Sequence, residues 1–191
     1  MVDFSINKRL NLVLQVERAD KSVCHVHSVP VSYETYEANY TFLQKAMSSM
    51  YADEFSPATC SRIAFLRMRE LAASDKDRFG ASAEALLAEI WRLTNVLVPG
   101  DQGYTTLPFH DVTKGGVMSV EDIREVQNYI CFFTAASHSH NQKEREGLYE
   151  LLDRFGALTT SLDVTGFRDS LQTSKPVENT GEKAVASSIP H

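Results

Sequence analysis

The fold is decided by residues 9–31, which read RLNLVLQVERADKSVCHVHSVPV. In the first half, leucine and valine alternate with polar residues, the period-two pattern of a strand with one buried face. The alternating apolar positions are Leu10, Leu12, Leu14 and Val16. Residues 19–21 supply a turn, and residues 22–29 form a weaker strand that ends at Pro30 or lies at an edge, because proline has no backbone donor. We therefore predict an N-terminal β-hairpin whose second strand is its exposed edge.

A hairpin of two strands is too small to be stable alone in water. It must pack against helices of its own chain or against another molecule, and in the second case its free edges become interaction surfaces. The rest of the chain reads almost entirely as helix. We therefore predict an α+β fold that is mainly α, with the hairpin followed by about five to six helices over residues 32–172.

Helical spacing of apolar residues begins directly after the hairpin. A long, tyrosine-rich helix is predicted over residues 32–51. Its apolar positions are Tyr33, Tyr36, Tyr40, Leu43, Met47 and Met50. Ser56 followed by Pro57 is the pattern of an N-cap with proline at the first helical position, so a second helix starts there. A third helix is predicted over residues 82–97, where a Pro-Gly pair stops it.

The second half of the chain begins with a glycine-rich stretch. Residues 100–116 show no helical period and are predicted to be the longest internal loop, and loops of this length are often functional. Ser119, with an aspartate three residues later, resembles a capping box and starts a helix that runs to about residue 137. A further helix is expected over residues 142–158, and a short last one begins at Asp163 or Thr165.

Composition indicates one compact domain rather than two. The chain has 191 residues, of which 43% are hydrophobic and 23% are charged, so it can bury a substantial core. Beyond residue 172 the composition shifts to Ser, Thr, Pro, Glu, Lys and Gly, which cannot bury enough apolar area to offset chain entropy. We expect a single domain over residues 1–172 and a flexible polar tail over residues 173–191.

Charge and cysteine usage exclude several classes of partner and compartment. The net charge is −6 and the pI is near 5.5, so no global cationic field draws the protein to nucleic acid or to an anionic membrane. No run of about 18 apolar residues offers a membrane span. Three widely spaced cysteines argue against a disulfide framework. We expect a protein of a reducing cytoplasm.

Signatures of catalysis are missing from the sequence. It has no phosphate-binding Gly-rich loop, no paired-histidine zincin motif, no Glu-x-x-His pair and no Cys-x-x-Cys. We therefore expect no catalytic residues, no cofactor and no enzymatic activity.

One group of histidines has residue types and spacing that could form a metal site. His25 and His27 would share one face of the second strand, beside Cys24, and His138 with His140 could complete a ligand set. Neither pair has a nearby acidic residue to orient its imidazoles. The sequence favours exposed strand and loop histidines, with no bound metal.

Three segments, in order after the hairpin and the tyrosine-rich helix, carry a family resemblance. They are residues 86–99 (LLAEIWRLTNVLVP), 129–137 (YICFFTAAS) and 160–174 (TSLDVTGFRDSLQTS). Together they resemble the small tail assembly chaperones of long-tailed bacteriophages, of the short type encoded upstream of a programmed frameshift. The resemblance covers most of the chain up to about residue 174.

This resemblance implies a non-enzymatic protein of the host cytoplasm. It would bind the phage tape-measure protein, keep the long hydrophobic helices of that client soluble, and help recruit subunits of the tail tube protein. Such a chaperone works through apolar and aromatic surfaces that accept helices and through edges for self-association.

Candidate binding residues follow from this interpretation and from helical periodicity. The core or partner-facing candidates are Tyr33, Tyr36, Tyr40, Met47 and Met50. A contact patch is expected at Phe132 and Phe133, with one ring inward and the other toward the flank of the helix. The alternatives are a virion structural protein, such as a tail-completion or connector subunit, and a small metal-dependent enzyme that uses the histidine pairs.

Overall fold

The computed structural model describes residues 10–137, 147, 150, 152–154 and 156–173. The strands are β1 (Asn11–Glu17), β2 (Val23–Ser28), β3 (Thr94–Gly100), β4 (Gly103–Pro108) and β5 (Ala157–Thr160). They form one five-stranded sheet in the order β4-β3-β2-β1-β5, and every neighbouring pair is antiparallel. The chain therefore builds its sheet from three regions that are far apart in sequence.

Helices cover both faces of this sheet. Those with described bounds are α1 (Tyr33–Ala38), α2 (Tyr40–Ala52), α3 (Pro57–Ser74), α4 (Ala81–Arg92), α5 (Phe109–Gly115), α6 (Val120–Ser137) and α7 (Val164–Thr173). A π-helical turn, Lys76–Gly80, joins α3 to α4. The predicted fold class, α+β and mainly α with an N-terminal hairpin, is confirmed.

The hairpin itself is confirmed as β1 and β2, but the prediction that its second strand is an exposed edge is wrong. β2 pairs with β1 on one side and with β3 on the other. β5 pairs with the first half of β1, from Asn11 to Leu14. The hairpin therefore lies in the middle of a larger sheet. It is stabilised by pairing with β3 and β5, which the local sequence pattern did not predict.

The third predicted helix is too long, and the loop that follows it is not a loop. Helix α4 ends at Arg92, and residues 94–100 form strand β3. Thr94, Val96 and Val98 are β-branched and prefer a pleated, half-buried surface to a helix. Residues 103–108 then pair back as β4, and α5 follows directly. The positive φ of Gly103, 107°, shows why glycine stands at this hairpin turn.

Helix starts are the best-predicted local features. The Ser56 side chain accepts a hydrogen bond from the Thr59 amide (3.3 Å), and Pro57 occupies the first helical position as predicted. At α6 the Ser119 Oγ accepts from the Asp122 amide (3.0 Å), while the Asp122 carboxylate accepts from the Ser119 amide (3.3 Å). This reciprocal pair confirms the predicted capping box.

Two further helix predictions need correction. The helix predicted over residues 32–51 is divided at Asn39, which ends α1 and precedes α2; its Nδ2 donates to the Thr35 carbonyl (2.8 Å). The helix predicted over residues 142–158 lies mostly outside the described residues, and its last two positions belong to β5. The predicted start of the last helix at Asp163 is confirmed, because its Oδ1 accepts from the Gly166 amide (2.7 Å). The predicted polar tail lies outside the described residues except for Thr173.

The front face of the sheet, which carries Leu12, Leu14, Val16, Cys24 and Val26, packs on the main core. Helix α6 lies at the centre of this core, and each of its residues from Asn128 to Ser137 is buried. Helix α3 packs against α6, and the buried residues of α3 include the small side chains of Ser61 and Ala64. The core thus forms between one face of the sheet and a layer of helices.

The back face of the sheet is smaller and is covered by α7. Strand register places Val13 beside His27, and His25 beside Leu97, on this face. All four side chains are buried, although neither Val13 nor Leu97 belongs to the main core. Phe167 of α7 covers the two histidine rings, with ring centroids 5.7 Å from His25 and 6.0 Å from His27. The protein is therefore a sheet with helices on both faces.

One buried polar residue ties α6 to α3 and gives a first prediction. The Asn128 Oδ1 accepts from the backbone amides of Phe65 (3.0 Å) and Leu66 (3.4 Å), and its Nδ2 donates to the Arg124 carbonyl (2.9 Å). We expect Asn128→Leu to lower the free energy of unfolding by about 1–3 kcal/mol, because a leucine cannot accept these bonds. Urea unfolding measures this as a lower midpoint with an unchanged m value.

The matched control for this prediction is Arg124→Gln, at an exposed position one turn earlier in α6. Its effect should stay within about 0.5 kcal/mol. An unchanged unfolding midpoint for Asn128→Leu would show that the helical amides of α3 do not depend on this acceptor.

Candidate protein-binding surfaces

The tyrosine-rich segment divides between core and surface. Tyr36, Met47 and Met50 are buried in the main core, whereas Tyr33 and Tyr40 are 53% and 54% exposed. The Tyr36 and Tyr40 rings meet edge to face, with centroids 6.1 Å apart. Burial raises the pKa of Tyr36, whose hydroxyl oxygen accepts from Gln44 Nε2 (3.0 Å). Of these five candidates, only Tyr33 and Tyr40 have rings exposed enough to contact a partner.

The contact patch predicted at Phe132 and Phe133 is wrong. Each side chain is only 1% exposed, and both belong to the main core. Helical periodicity assigned one ring to the flank because it assumes that a helix has one solvent-facing side. Helix α6 is instead covered all round over its last ten residues, so neither ring can reach a partner in this structure.

The histidine pair lies on one strand face as predicted, but it is buried rather than exposed. His25 is 5% exposed and His27 is fully buried beneath α7. The His27 Nε2 lies 3.0 Å from the Leu162 carbonyl, and because a carbonyl only accepts, Nε2 carries the proton and donates. Nδ1 of each ring is buried without a hydrogen-bond partner. Burial lowers the pKa of both imidazoles.

These histidines do not meet a metal-ligand set in the part of the chain that the structure describes. Among those residues, no three histidine, cysteine or carboxylate side chains come close enough to hold an ion. Cys24 points to the opposite face of the sheet and lies in the main core. His138 and His140 fall outside the described residues, so the four-ligand arrangement is not tested.

A groove between α3 and α4 was not anticipated from the sequence. It has a volume of about 420 Å³ and opens to solvent along both helices. Its lining residues are Phe65, Arg69, Ala72, Ala73, Lys76, Gly80, Ala83, Glu84, Leu87 and Trp91. We call it the α3–α4 groove. It is larger than a cavity of about 220 Å³ between β1 and α6 and one of about 280 Å³ beside the β1–β2 turn.

Aromatic rings build one end of the α3–α4 groove. Phe65 and Trp91 meet edge to face with centroids 5.7 Å apart, and Trp91 in turn packs on Phe109 at 5.3 Å. Arg69 lies over the Phe65 ring at 5.7 Å, a cation–π contact that holds its guanidinium at the rim. The rings are therefore held in place by neighbours in the fold, as a binding surface requires.

Small side chains build the other end. Ala72 and Ala73 on α3 face Ala83 on α4, so the backbone of a bound segment could approach both helices closely. Arg69 on α3 and Lys76 on the π-helical turn place two cations along one rim, which we call the α3 rim, against one carboxylate, Glu84, on the α4 side. Such a surface can accept the apolar face of a helix, with acidic residues of that helix beside the α3 rim.

Weak signals of this groove were present in the sequence. Trp91 sits at the margin of the apolar stripe of its helix, and a large aromatic residue at a margin is a frequent mark of a binding surface. The alanine pair at positions 72 and 73 gave no signal by itself, because alanine is equally common in exposed helix. The groove exists only because the π-helical turn joins α3 to α4 and packs against both helices.

Comparisons with protein-family models, with curated proteins and with solved structures found no match to this chain. Within the described residues, every helix is too short or too polar to cross a lipid bilayer. The geometry of the surfaces themselves is therefore the main evidence on function.

Proposed function

We propose that this protein is a non-enzymatic assembly chaperone that holds an apolar helix of its client in the α3–α4 groove. The observation that carries the proposal is the groove itself, an open apolar channel between two helices with fixed aromatic rings at one end and alanines at the other. A helix laid in a groove is a recurring mode of peptide recognition, and its affinity comes from apolar side chains at helical spacing.

The resemblance to phage tail assembly chaperones gives the client of this proposal. A tape-measure protein is a long helical chain with apolar stripes, and such a chain needs a partner to remain soluble before the tail is built. The chaperone would act in the cytoplasm of the infected bacterium and deliver the client to the tail tube protein. The cations of the α3 rim fit a client helix that carries acidic residues beside its apolar stripe.

The groove is tested by charge placed on its floor. Ala73 is exposed on α3 and Leu87 is half-buried on α4, so Ala73→Glu combined with Leu87→Glu puts two carboxylates where the apolar client face would lie. We expect the client to bind about tenfold more weakly or worse, because the new carboxylates must be desolvated beneath an apolar helix and because the carboxylate at position 73 neutralises the cations of the rim. Co-purification of the full chain with the co-expressed tape-measure protein, quantified against input, measures this change.

The matched control is Leu66→Glu, which changes the charge of α3 at a side chain that is 54% exposed and does not line the groove. It should leave co-purification unchanged, and far-ultraviolet circular dichroism should report the same helix content for all variants. Equal client binding by the groove variant and the control would reject the groove as the client site.

The exposed tyrosines, Tyr33 and Tyr40, form a second expected contact with the client outside the α3–α4 groove. Tyr33→Ser and Tyr40→Ser remove rings that are about half exposed, so folding should be little affected.

Purified mature particles distinguish the proposed chaperone from a virion structural protein, because a chaperone leaves the tail. Stoichiometric copies in such particles would contradict the proposal.

A further inference from the structure

Strand β4 forms one edge of the sheet, because it pairs with β3 along one side only. Both segments that flank it are described: residues 101 and 102 turn back to β3, and α5 carries Phe109 and Val112 into the main core. Helix α7 lies on the back face, with Phe167 over the histidine rings. The outer backbone of β4 therefore has no strand beside it among the residues that the structure describes.

Hydrogen-bond direction shows which backbone groups this edge exposes. The Val29 amide donates to the Leu93 carbonyl (3.1 Å), so Leu93 bonds toward β2. Direction alternates along an antiparallel strand, so the even-numbered residues of β3 bond toward β4, where their register partners are odd-numbered. The amide and carbonyl groups of Tyr104 and Thr106 therefore point outward. Within the described part of the chain these groups have no hydrogen-bond partner.

The two prolines of the β3–β4 hairpin agree with this direction. Pro108 falls at an outward position of β4, and Pro99 lies beyond Leu97, the last residue of β3 that pairs with β2. A proline has no amide, so at these two places it removes no hydrogen bond from the sheet. Outward amides are thus present at Tyr104 and Thr106 and missing at Pro108.

The side chains of β4 leave this edge unprotected. Residues 103–108 read GYTTLP and carry no charge, whereas natural edge strands are commonly protected by charged side chains. The Tyr104 ring points to the back face, where it meets the His25 ring with centroids 5.4 Å apart. Thr105 points to the opposite face and is exposed. A second strand could therefore approach without meeting a charge in β4.

We propose that β4 binds β4 of a second copy of this chain, antiparallel and about a two-fold axis at Thr105, so that two sheets become one. Tyr104 of each copy then stands opposite Thr106 of the other, and each such pair exchanges two backbone hydrogen bonds. All the outward amides and carbonyls of both residues are satisfied, which is β-augmentation between identical edges. The contact uses the same surface on both copies, so it closes as a dimer.

The missing amides and the turn select this register. A shift by two residues in one direction would place Tyr104 opposite Pro108, which has no amide to donate. The same shift in the other direction would place Thr106 opposite residue 102, which belongs to the turn. A shift by one residue would set the outward groups of one strand against the inward groups of the other. Only the register centred on Thr105 gives every outward group of Tyr104 and Thr106 a partner.

The side chains also fit a second copy in this register. On the front face Thr105 meets its own copy, which is a favourable cross-strand pair. Leu107 meets Gly103 of the other copy, which has no side chain to crowd it. The strand pair is short and smaller than the roughly 800 Å² per partner of a standard interface, so we expect weak association that depends on concentration.

The test places charge at position 105 of the full-length protein. Thr105 is exposed and its backbone groups bond to β3, so Thr105→Lys and Thr105→Glu should both fold. Sedimentation velocity at low salt measures mass over a range of protein concentrations. We expect the unchanged protein to exceed the monomer mass at high concentration. Each variant should associate about fivefold more weakly or worse, because like charges stand opposite each other at the two-fold axis.

An equimolar mixture of the two variants is the decisive arm. Opposite charges then face each other at the axis, so the mixture should regain association that neither variant shows alone. Thr41→Lys and Thr41→Glu are the matched controls, at an exposed position on α2. Each should associate as the unchanged protein does, and mixing them should change nothing.

A cross-link reads the register directly. The three native cysteines are buried, so a new thiol on β4 can be oxidised selectively. Residues opposite each other without hydrogen bonds have Cα atoms about 4.5 Å apart, within the range of a disulfide. Thr105→Cys should therefore form a covalent dimer under mild oxidation, whereas Thr106→Cys, which faces Tyr104 of the other copy, should form much less.

Three results would each overturn the proposal: a protein that stays monomeric at every concentration, an association insensitive to charge at position 105, and a mixture that does not recover. Equal cross-linking of the two cysteine variants would reject the register. No residue of β4 lines the α3–α4 groove, so these outcomes are independent of client binding there.

Discussion

Replacing Phe132 by alanine is expected to lower the free energy of unfolding by about 3–5 kcal/mol. The ring is 1% exposed in the centre of α6, and removing it leaves a cavity that the surrounding helices and sheet fill only in part. This is a large share of the total stability of about 5–15 kcal/mol that is typical of a single domain. Equilibrium unfolding in urea, followed by circular dichroism, measures the loss.

Two comparisons make the Phe132 result specific. Phe132→Leu keeps most of the buried volume and should cost clearly less than Phe132→Ala. Val120→Ala, at a side chain that is 65% exposed on the same helix, should change stability by no more than about 0.5 kcal/mol. A stable Phe132→Ala variant that lost its client would instead support the contact patch that periodicity suggested.

Acidification is expected to destabilise the back face of the sheet through His25 and His27. Burial lowers the pKa of both imidazoles below the ordinary value of 6.5, and the unfolded chain has no such burial. Below pH 6.5 the unfolded state therefore binds more protons than the folded state. Above pH 6.5 the contribution of His25 and His27 to the free energy of unfolding should not change with pH. Below pH 6.5 the free energy of unfolding should fall as the pH drops toward the pKa values of the two histidines in the folded state.

The hydrogen bonds around the two histidines also predict that acid lowers the free energy of unfolding. His27 already donates from Nε2 to the Leu162 carbonyl, so a second proton must go to Nδ1, which is buried and has no acceptor. The Asp163 carboxylate, at the start of α7, favours the charged form of His27 and partly opposes burial. His25 has the Tyr104 and Phe167 rings beside it and gains no comparable help from a carboxylate.

Urea unfolding between pH 7.5 and pH 5 measures this effect. His27→Gln keeps a side-chain donor for Leu162 but cannot be protonated, so its stability should fall less steeply with acid than that of the unchanged protein. His110→Gln, at an exposed position on α5, should leave the slope unchanged. The same slope in all three proteins would exclude the buried histidines as the cause.

Local sequence patterns predicted the elements whose causes are local. The alternation of residues 10–16, the Ser56-Pro57 start and the Ser119 capping box each depend on neighbours within a few positions, and all three are present in the structure. The helix predicted to run to residue 97 ends instead at Arg92, because a local pattern could not distinguish a helix from a strand at this point. Leu93 and Leu97 fit a helical stripe as well as a strand, and only the pairing of β3 with β2 decides between them.

The candidate surfaces were harder to predict because periodicity reports one buried side of a helix and cannot tell how many sides are covered. It grouped Tyr33 and Tyr40 with Tyr36, yet only Tyr36 is buried. It gave Phe132 and Phe133 one exposed ring, yet α6 is enclosed by α3, the sheet and their neighbours. It expected exposed histidines on β2, yet α7 returns from the far end of the chain to cover them.

The N-terminal hairpin, the mainly helical remainder and the helix caps could be predicted from local sequence, because backbone propensity and short-range hydrogen bonds act over a few residues. Only tertiary contacts place β2 at the centre of the sheet and form an apolar groove between α3 and α4. These features depend on strand pairing and helix packing between distant segments. The free energy of such a contact depends on both contacting surfaces, so it cannot be read from the sequence of either segment alone.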